Sequence, residues 1–478
     1  MTENFVFTDK LKKTLLYMMV AGVVGVAIVL LQEHFSSANN HHARLWSNLL
    51  ANTYYFTGIG LFGLFVVAAT QLAYGGWQTL MKRIFLSMSA WVRISGTLLV
   101  LIVLAGYFGV HSLYDQAKAI SHLNPVPEIY TTKVVWFAPV FWFSRIIAYA
   151  ALWFFFSWYM NKFFARTDQT NPRVYKLSKL LAAAFIVVFA VTESAASWDF
   201  IMSLDPHWYS TLFGWYNFAS YGCAAWGMSI LLIIYLKSQG YLQKVNENHI
   251  HDLGKMLFGF SIFWTYLWFD QFMLQWYANI PEETSFWVKR FNEGYFKFTI
   301  FFALIINFLF PLLFLIKRSA KRNFKIIGFG AALLILGHYI DFFNFTFVEP
   351  NWNKEAMESK KEEAMKNSSK VVFYAKAEEK KEVVSDATPV AENKEAVATE
   401  VKKESGEKTE AKGEKKEGEE HEAPVANYAG IGLGELLVFF GFLGAFLFAF
   451  FNNLAKRPIV PENDPYLKES EKIVVVYS

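Results

Sequence analysis

The chain has 478 residues, 54% of them hydrophobic and 18% aromatic, with a formal net charge of +4. A soluble protein would need a very large core to hide 49 Phe and 16 Trp residues; repeated apolar runs of about twenty residues make lipid the solvent instead. The single cysteine, Cys223, lies in one of these runs and excludes an intrachain disulfide or a cysteine-rich metal site.

Residues 1–14 are polar, with Lys10, Lys12 and Lys13. The run Leu15–Leu31 has the length of a retained membrane helix, and no clear signal-peptide cleavage site follows it. Further runs lie near Leu49–Tyr74, Trp91–Tyr114, Val134–Met160, Leu177–Trp198, Leu212–Leu236, Leu253–Tyr277, Phe296–Ile316, Phe324–Phe347 and Ile431–Leu454. The expectation is an all-α integral membrane protein of about ten transmembrane helices, nine within 15–348 and the tenth within 428–455. Lys82/Arg83, Lys162/Arg166/Arg173/Lys176, Lys237/Lys244/Lys255, Lys317/Arg318/Lys321/Arg322 and Lys456/Arg457 fall, with the N-terminal lysines, in alternate connections. The positive-inside rule then puts both termini, including the 456–478 tail, in the cytoplasm.

Residues 349–427 break the pattern. They are rich in Lys, Glu and Ala and nearly free of aromatics, so a solvated, disordered insertion on the outer side is expected. The ending Ile473-Val-Val-Val-Tyr477 has the pattern of a strand that could pair with a neighbouring subunit.

A weak internal repeat is visible. Helix five ends Asp199-Phe200 followed by Asp205-Pro206-His207-Trp208, and helix nine ends Asp341-Phe342 followed by Glu349-Pro350-Asn351-Trp352. The match suggests two four-helix bundles, helices 2–5 and 6–9, flanked by helices 1 and 10, against chance similarity at helix exits.

Ionisable residues inside the spans are costly and concentrate toward the outer side: Arg145 on helix four, Glu193 and Asp199 on helix five, Asp270 with Gln271 and Gln275 on helix seven, His338 and Asp341 on helix nine, and Glu435 on helix ten. His111 and Asp115 stand at the outer end of helix three. Glu193, Asp199, Asp270, His338, Asp341 and Arg145 are the candidates for an outer proton path. His338 and Asp341 share a helix face as an i,i+3 pair. Glu193 and Asp199 lie about 9 Å apart along the axis on different faces, so each needs its own partner, and Arg145 is the counter-charge for one of them. The alternative reading makes these groups interhelical structural pairs. For Asp115, Asp205, His207, Glu282 and Glu283 the ordinary loop or interface role is preferred, and the aromatics of Trp264–Tyr277 read first as an interfacial belt. No P-loop, dinucleotide fingerprint, iron–sulfur cysteine framework or haem-spaced His pair occurs, and nothing points to nucleic acid or a bound metal.

Ser197-Trp198-Asp199-Phe200 with Asp205-Pro-His-Trp-Tyr-Ser-Thr-Leu-Phe-Gly-Trp215 resembles the central signature of the polysulfide-reductase (NrfD-like) membrane subunits. Together with Asp270-Gln-Phe-Met-Leu-Gln-Trp-Tyr-Ala-Asn-Ile-Pro-Glu-Glu283 and Gly337-His-Tyr-Ile-Asp-Phe342, the chain most resembles the F-type membrane subunits of bacterial alternative complex III. The resemblance implies a subunit without its own redox centre, in the bacterial inner membrane, within a complex that oxidises a quinol, by family menaquinol. It implies partners that carry iron–sulfur clusters and c-type haems, and a paralogous quinol-binding membrane subunit. In that sister subunit the site uses the Asp of Ser-x-Asp-Phe and a His on a preceding helix. Asp199 matches the Asp, helix four offers Arg145 and no His, and Asp199, Arg145 and His207 are the corresponding quinol-site candidates. A stand-alone ion or solute transporter and a pure scaffold are the competing functions.

Overall fold

The computed structural model describes residues 4–35, 42–122, 126, 130–166, 170–206, 208–292, 294–347, 431–461 and 464–473. The 349–427 insertion, His207, and the strand-like ending beyond Ile473 lie outside the described residues, as does most of the second arm of the suspected repeat. Among the described residues helix dominates, and the β-structure is one isolated bridge, Asn4 to Pro458.

Nine helices among the described residues are long and apolar enough to cross a membrane. They include α1 (Asp9–Phe35), α2 (Ala43–Leu72), α3 (the broken helix Gly76–Tyr107), α4 (Pro139–Arg166), α5 (Pro172–Phe200) and α6 (Phe213–Ser238). Between α6 and the next of these comes α7 (Glu247–Ala278), then α8 (Gly294–Leu304 with its continuation to Leu315), α9 (Phe324–Thr346) and α10 (Leu433–Leu454). The helix α7 has 32 residues, about 48 Å at the usual rise. His249, His251, Asp270, Gln271 and Gln275 make it more polar than the nine, yet the alternation of its neighbours requires it to cross. The all-α membrane architecture is therefore as the sequence leads one to expect.

Helices 2–5 and 6–9 form two rings. In the first, α2 and α4 each touch α3 and α5; in the second, α6 touches α7 and α9, and α8 closes the circle against α9 and α7. The rings meet where α2 packs on α6 and α9 and where α5 packs on α6. The central post, α2, is buried nearly all round. Thr53 and Thr57 hydroxyls donate within the helix, to the carbonyls of Leu49 and Thr53, both at 2.6 Å, and the Asn52 amide donates to Asn48 Oδ1 at 2.6 Å and across to Tyr339 Oη of α9 at 3.0 Å.

The flanking helices form their own pair against α2 and α3. Their contact rests on Gly22 and Gly441, where a Cβ on Gly22 would stand 2.6 Å from the Gly441 Cα. Missing side chains let the backbones approach closely, the usual basis of helix association in lipid. At one end of the pair Arg44 meets the buried Glu435 at 2.5 Å, and Glu435 also accepts the Gly432 N–H at 2.9 Å.

Three features depart from the sequence expectation. First, α3 begins at Gly76 rather than Trp91, so Lys82 and Arg83 lie inside the fold, each 3% exposed, and not in a loop. Lys82 is accommodated by Asp464 at 2.8 Å and Gln71 at 3.2 Å. Second, α8 passes into π-helical turns at Ile305–Leu309 and Pro311–Leu315. Pro311 has no N–H for the Asn307 carbonyl four residues back, and that carbonyl instead accepts the Ser261 hydroxyl of α7. Third, the α7–α8 connection is itself helical over Pro281–Asn292 and packs Phe286 flat on Trp208, centroids 4.1 Å apart.

Both described chain ends lie together, which defines a near end. There the segment after α10 crosses the helix ends as a strap: Ser470 Oγ donates to the Trp77 carbonyl at 2.9 Å, the Ser470 carbonyl meets His249 Nε2 at 3.0 Å, and Tyr466 meets Tyr175 at 3.3 Å. The far end carries Asp199, the Asp341 end of α9, and Glu435.

Candidate functional site

In the first ring, α4 presents Arg145, Tyr149 and Trp153 at four-residue spacing, one stripe along one face. That stripe meets α5. Arg145 donates to Asp199 through Nε at 3.0 Å and Nη2 at 2.7 Å, and Tyr149 Oη donates to Asp199 Oδ2 at 3.0 Å. Trp153 Nε1 donates to Thr192 Oγ1, two turns along α5, at 3.0 Å. The guanidinium lies 3.9 Å from the Trp136 ring centroid and 4.3 Å from that of Phe141. Asp199 has no exposure, so a planar fork pairing that neutralises it in place is the arrangement a low-dielectric site favours. Of the two carboxylates offered to Arg145, the structure selects Asp199.

Glu193 faces elsewhere, toward the seam between the rings. It is 5% exposed; Ser194 Oγ lies at 3.5 Å, and Oε1 has no hydrogen-bond partner among the described residues. The Tyr221 hydroxyl of α6 and Tyr54 of α2 neighbour it, although Tyr221 makes no hydrogen bond of ordinary geometry. Gly58 makes room for Tyr221, since a Cβ there would be 2.5 Å from the ring. A buried carboxyl oxygen without a partner costs about 1–3 kcal/mol. The structure therefore keeps Glu193 at a stability penalty.

The second ring holds the other site. Asp341 accepts from Tyr216 Oη at 2.5 Å and from Trp264 Nε1 at 3.0 Å. Ser220 Oγ stands 3.4 Å from Asp341 Oδ2 and 3.0 Å from His338 Nδ1, so it bridges the two α9 residues. The expected His338/Asp341 pair is thus joined through a hydroxyl from α6 rather than directly. Trp264 packs edge-on against the His338 ring at 5.2 Å. Tyr216 and Ser220, four apart on α6, point at this site while Tyr221 points at Glu193; one helix serves both.

On the helices of this ring the hydrogen-bond inventory is incomplete. His338 Nε2, both amide atoms of Asn307, both of Asn344, and Gln271 Oε1 are buried without a partner among the described residues. All four residues are at most 2% exposed. Asn307 sits on the π-helical turn that Pro311 imposes, and Gly337 leaves the space its side chain occupies. Buried polar atoms are ordinarily satisfied, and ordered water is the usual remedy where protein does not reach.

Asp270 is separate. It is half-buried, its α7 neighbours Tyr266, Phe269, Met273 and Leu274 are exposed, and it joins neither network. Asp115 is exposed at the start of a short helix, Asp115–Ile120. His111 follows the end of α3 and folds back, its Nε2 2.9 Å from the Ile102 carbonyl. Gln275 is structural: its Oε1 accepts from Trp208 Nε1 at 2.9 Å and Trp287 Nε1 at 2.6 Å. The aromatic run of α7 splits, with Trp264 wholly buried beside Asp341 and Trp276 and Tyr277 exposed.

Sequence reasoning missed Tyr149, Tyr216, Ser220, Trp264 and Asn307. Tyr149 was within reach, one turn from Arg145. The others become site residues only once α6, α7 and α8 are set against α9. Among the described residues no group of three or more His, Cys, Asp or Glu is arranged to hold a metal ion. No protein-family model and no curated protein matches the chain.

Proposed function

We propose that this chain is an integral membrane subunit of a respiratory quinol-oxidising complex of the alternative complex III type, and that its second helix ring carries a hydrated proton path. One observation carries the proton path: unpartnered buried polar atoms of His338, Asn307, Asn344 and Gln271 lie on α7, α8 and α9, the helices packed about a carboxylate already bound by three donors. A scaffold needs none of these groups, because apolar side chains would pack there without the desolvation cost. A chain of water among them passes protons to and from Asp341, with His338 and Ser220 as neighbouring carriers. Glu193 is the corresponding group at the seam between the rings.

The Asp199 site takes a different role. Both of its oxygens are engaged by Arg145 and Tyr149, and it has no exposure. A quinol headgroup does not fit against this carboxylate while those bonds stand. Menaquinol oxidation accordingly falls to a paralogous partner subunit, with iron–sulfur clusters and c-type haems on other partners, and Arg145–Asp199 is the lock of the first ring. The positive-inside pattern puts the near end in the cytoplasm of a bacterial plasma membrane.

The test is purification through a tag on this chain from native membranes in mild detergent. The expected result is co-elution with c-type haem absorbance and menaquinol-oxidising activity. Elution as a lone protein that moves an ion or solute across liposomes would replace this reading with a transporter.

A further inference from the structure

A groove of about 360 Å³ opens between α1, α6, α9 and α10 in the near-end half of the spans. It shares no residue with the two polar sites. Its walls are apolar, from Leu11 and Leu15 on α1, Leu232 on α6, Ala332 and Leu336 on α9, and Leu447 on α10. The groove lies within helices that cross the membrane, so hydrocarbon is what it meets.

The residues below the groove say which hydrocarbon. On α9, Lys325 is seven positions before Ala332, hence on the same face and about 10 Å nearer the membrane surface. On α6, Gln239 is four positions past the lining residue Tyr235, again on the same line. Both are exposed, and Lys325 makes no ion pair among the described residues. The first turns of α1 add Lys10, Lys12 and Lys13, all exposed, against one acid, Asp9, which pairs with Lys12 at 3.1 Å. An apolar slot whose helices carry exposed lysines toward the near end matches a chain that ends in an anion. We infer that this groove holds one acyl chain of an anionic phospholipid, with its headgroup phosphate between Lys325 and the first turn of α1. The inference uses only the membrane-spanning architecture and stands apart from the proposed respiratory role.

The test uses the full-length protein in its purified native assembly, in phosphatidylcholine nanodiscs doped with a tail-diazirine probe. Phosphatidylglycerol and phosphatidylcholine versions of the probe are compared, and adducts are mapped by mass spectrometry. The phosphatidylglycerol probe should label Leu11, Leu15, Leu232 and Leu336 well above the exposed α5 residues Val187 and Val191, and above the phosphatidylcholine probe. Lys325→Ala should lower the phosphatidylglycerol preference about fivefold. Ala332→Trp, which fills the slot, should abolish groove labelling, while Leu336→Ala, which widens it, should preserve labelling and guards against misfolding of the bulkier variant. Equal labelling of the groove and of Val187 and Val191, or no preference between the two headgroups, would overturn the inference. Competition by a menaquinone analogue but not by unlabelled phosphatidylglycerol would reassign the groove to an isoprenoid quinone.

Discussion

Arg145 holds Asp199 through two side-by-side hydrogen bonds, 3.0 and 2.7 Å, between helices whose other contacts along the same stripe include one further polar bond, Trp153 to Thr192. Removal of either charge leaves the other buried. Arg145→Met or Asp199→Leu alone should each cost about 3–5 kcal/mol, whereas the double variant should recover most of that loss, because two apolar residues need no solvation. Unfolding in graded denaturing detergent, read as a double-mutant cycle, measures the coupling. Additive losses would show that the pair does not lock the first ring.

The Lys82–Asp464 contact makes a prediction about the near-end strap. Both side chains are 4% exposed, and Asp464 is, with Ser470, an anchor that ties the strap to α3. Lys82→Met should free this anchor and expose the strap to protease, with cleavage near Asp464 faster by about tenfold, an opening cost of roughly 1.4 kcal/mol. Adding Asp464→Asn should slow cleavage again. Timed proteolysis of closed membrane vesicles, with the near end accessible, gives the rates.

Gly22 and Gly441 should tolerate no side chain. Gly441→Ala places a methyl about where the Gly22 backbone lies, 2.5 Å from its Cα, and Gly22→Ala does the reverse. Either change should cost about 1–3 kcal/mol through overpacking. A cysteine cross-link between α1 and α10 on either side of the contact should form more slowly in both variants.

His111 gives a pH signature outside the spans. Burial holds its pKa below the ordinary 6.5, against the opposing pull of the Ile102 carbonyl. Its Nε2 donates to that carbonyl and its Nδ1 accepts the Leu113 N–H at 3.3 Å, an arrangement of the neutral ring. The unfolded chain takes up the proton first as pH falls, so this contribution to stability is complete above pH 6.5 and declines below it. Thermal unfolding should show a loss between about pH 7 and about pH 5 that is smaller in His111→Gln.

The sequence carried the helix order and the burial of Arg145, Glu193, Asp199, Asp341 and Glu435, because each is a property of one segment: apolar length, or an ion within it. It misplaced the start of α3, since Lys82 and Arg83 look like a loop until Asp464, some 380 residues later, is brought beside them. It did not read Pro281–Asn292 as a helix, because that segment owes its burial to Trp208 and Gln275. Within the site, Arg145 was legible, and Tyr149, one turn along the same helix face, was missed although its spacing was in view. The Asp341 network was not: its donors come from α6 and α7, and the sequence separation between Tyr216 and Asp341 hides their meeting. The π-helical turn had a visible cause in Pro311, though its consequence, a freed Asn307 carbonyl, needed Ser261 opposite it.

Proton release during menaquinol oxidation tests the central claim most directly. The complex purified through this chain, reconstituted in liposomes with an external pH indicator, should lose at least about tenfold in proton-release rate in Asp341→Asn, and to a lesser degree in Glu193→Gln, with haem content and assembly unchanged. Unaltered proton release in both fully assembled variants would contradict the path through the second ring and leave the buried polar groups a structural role alone.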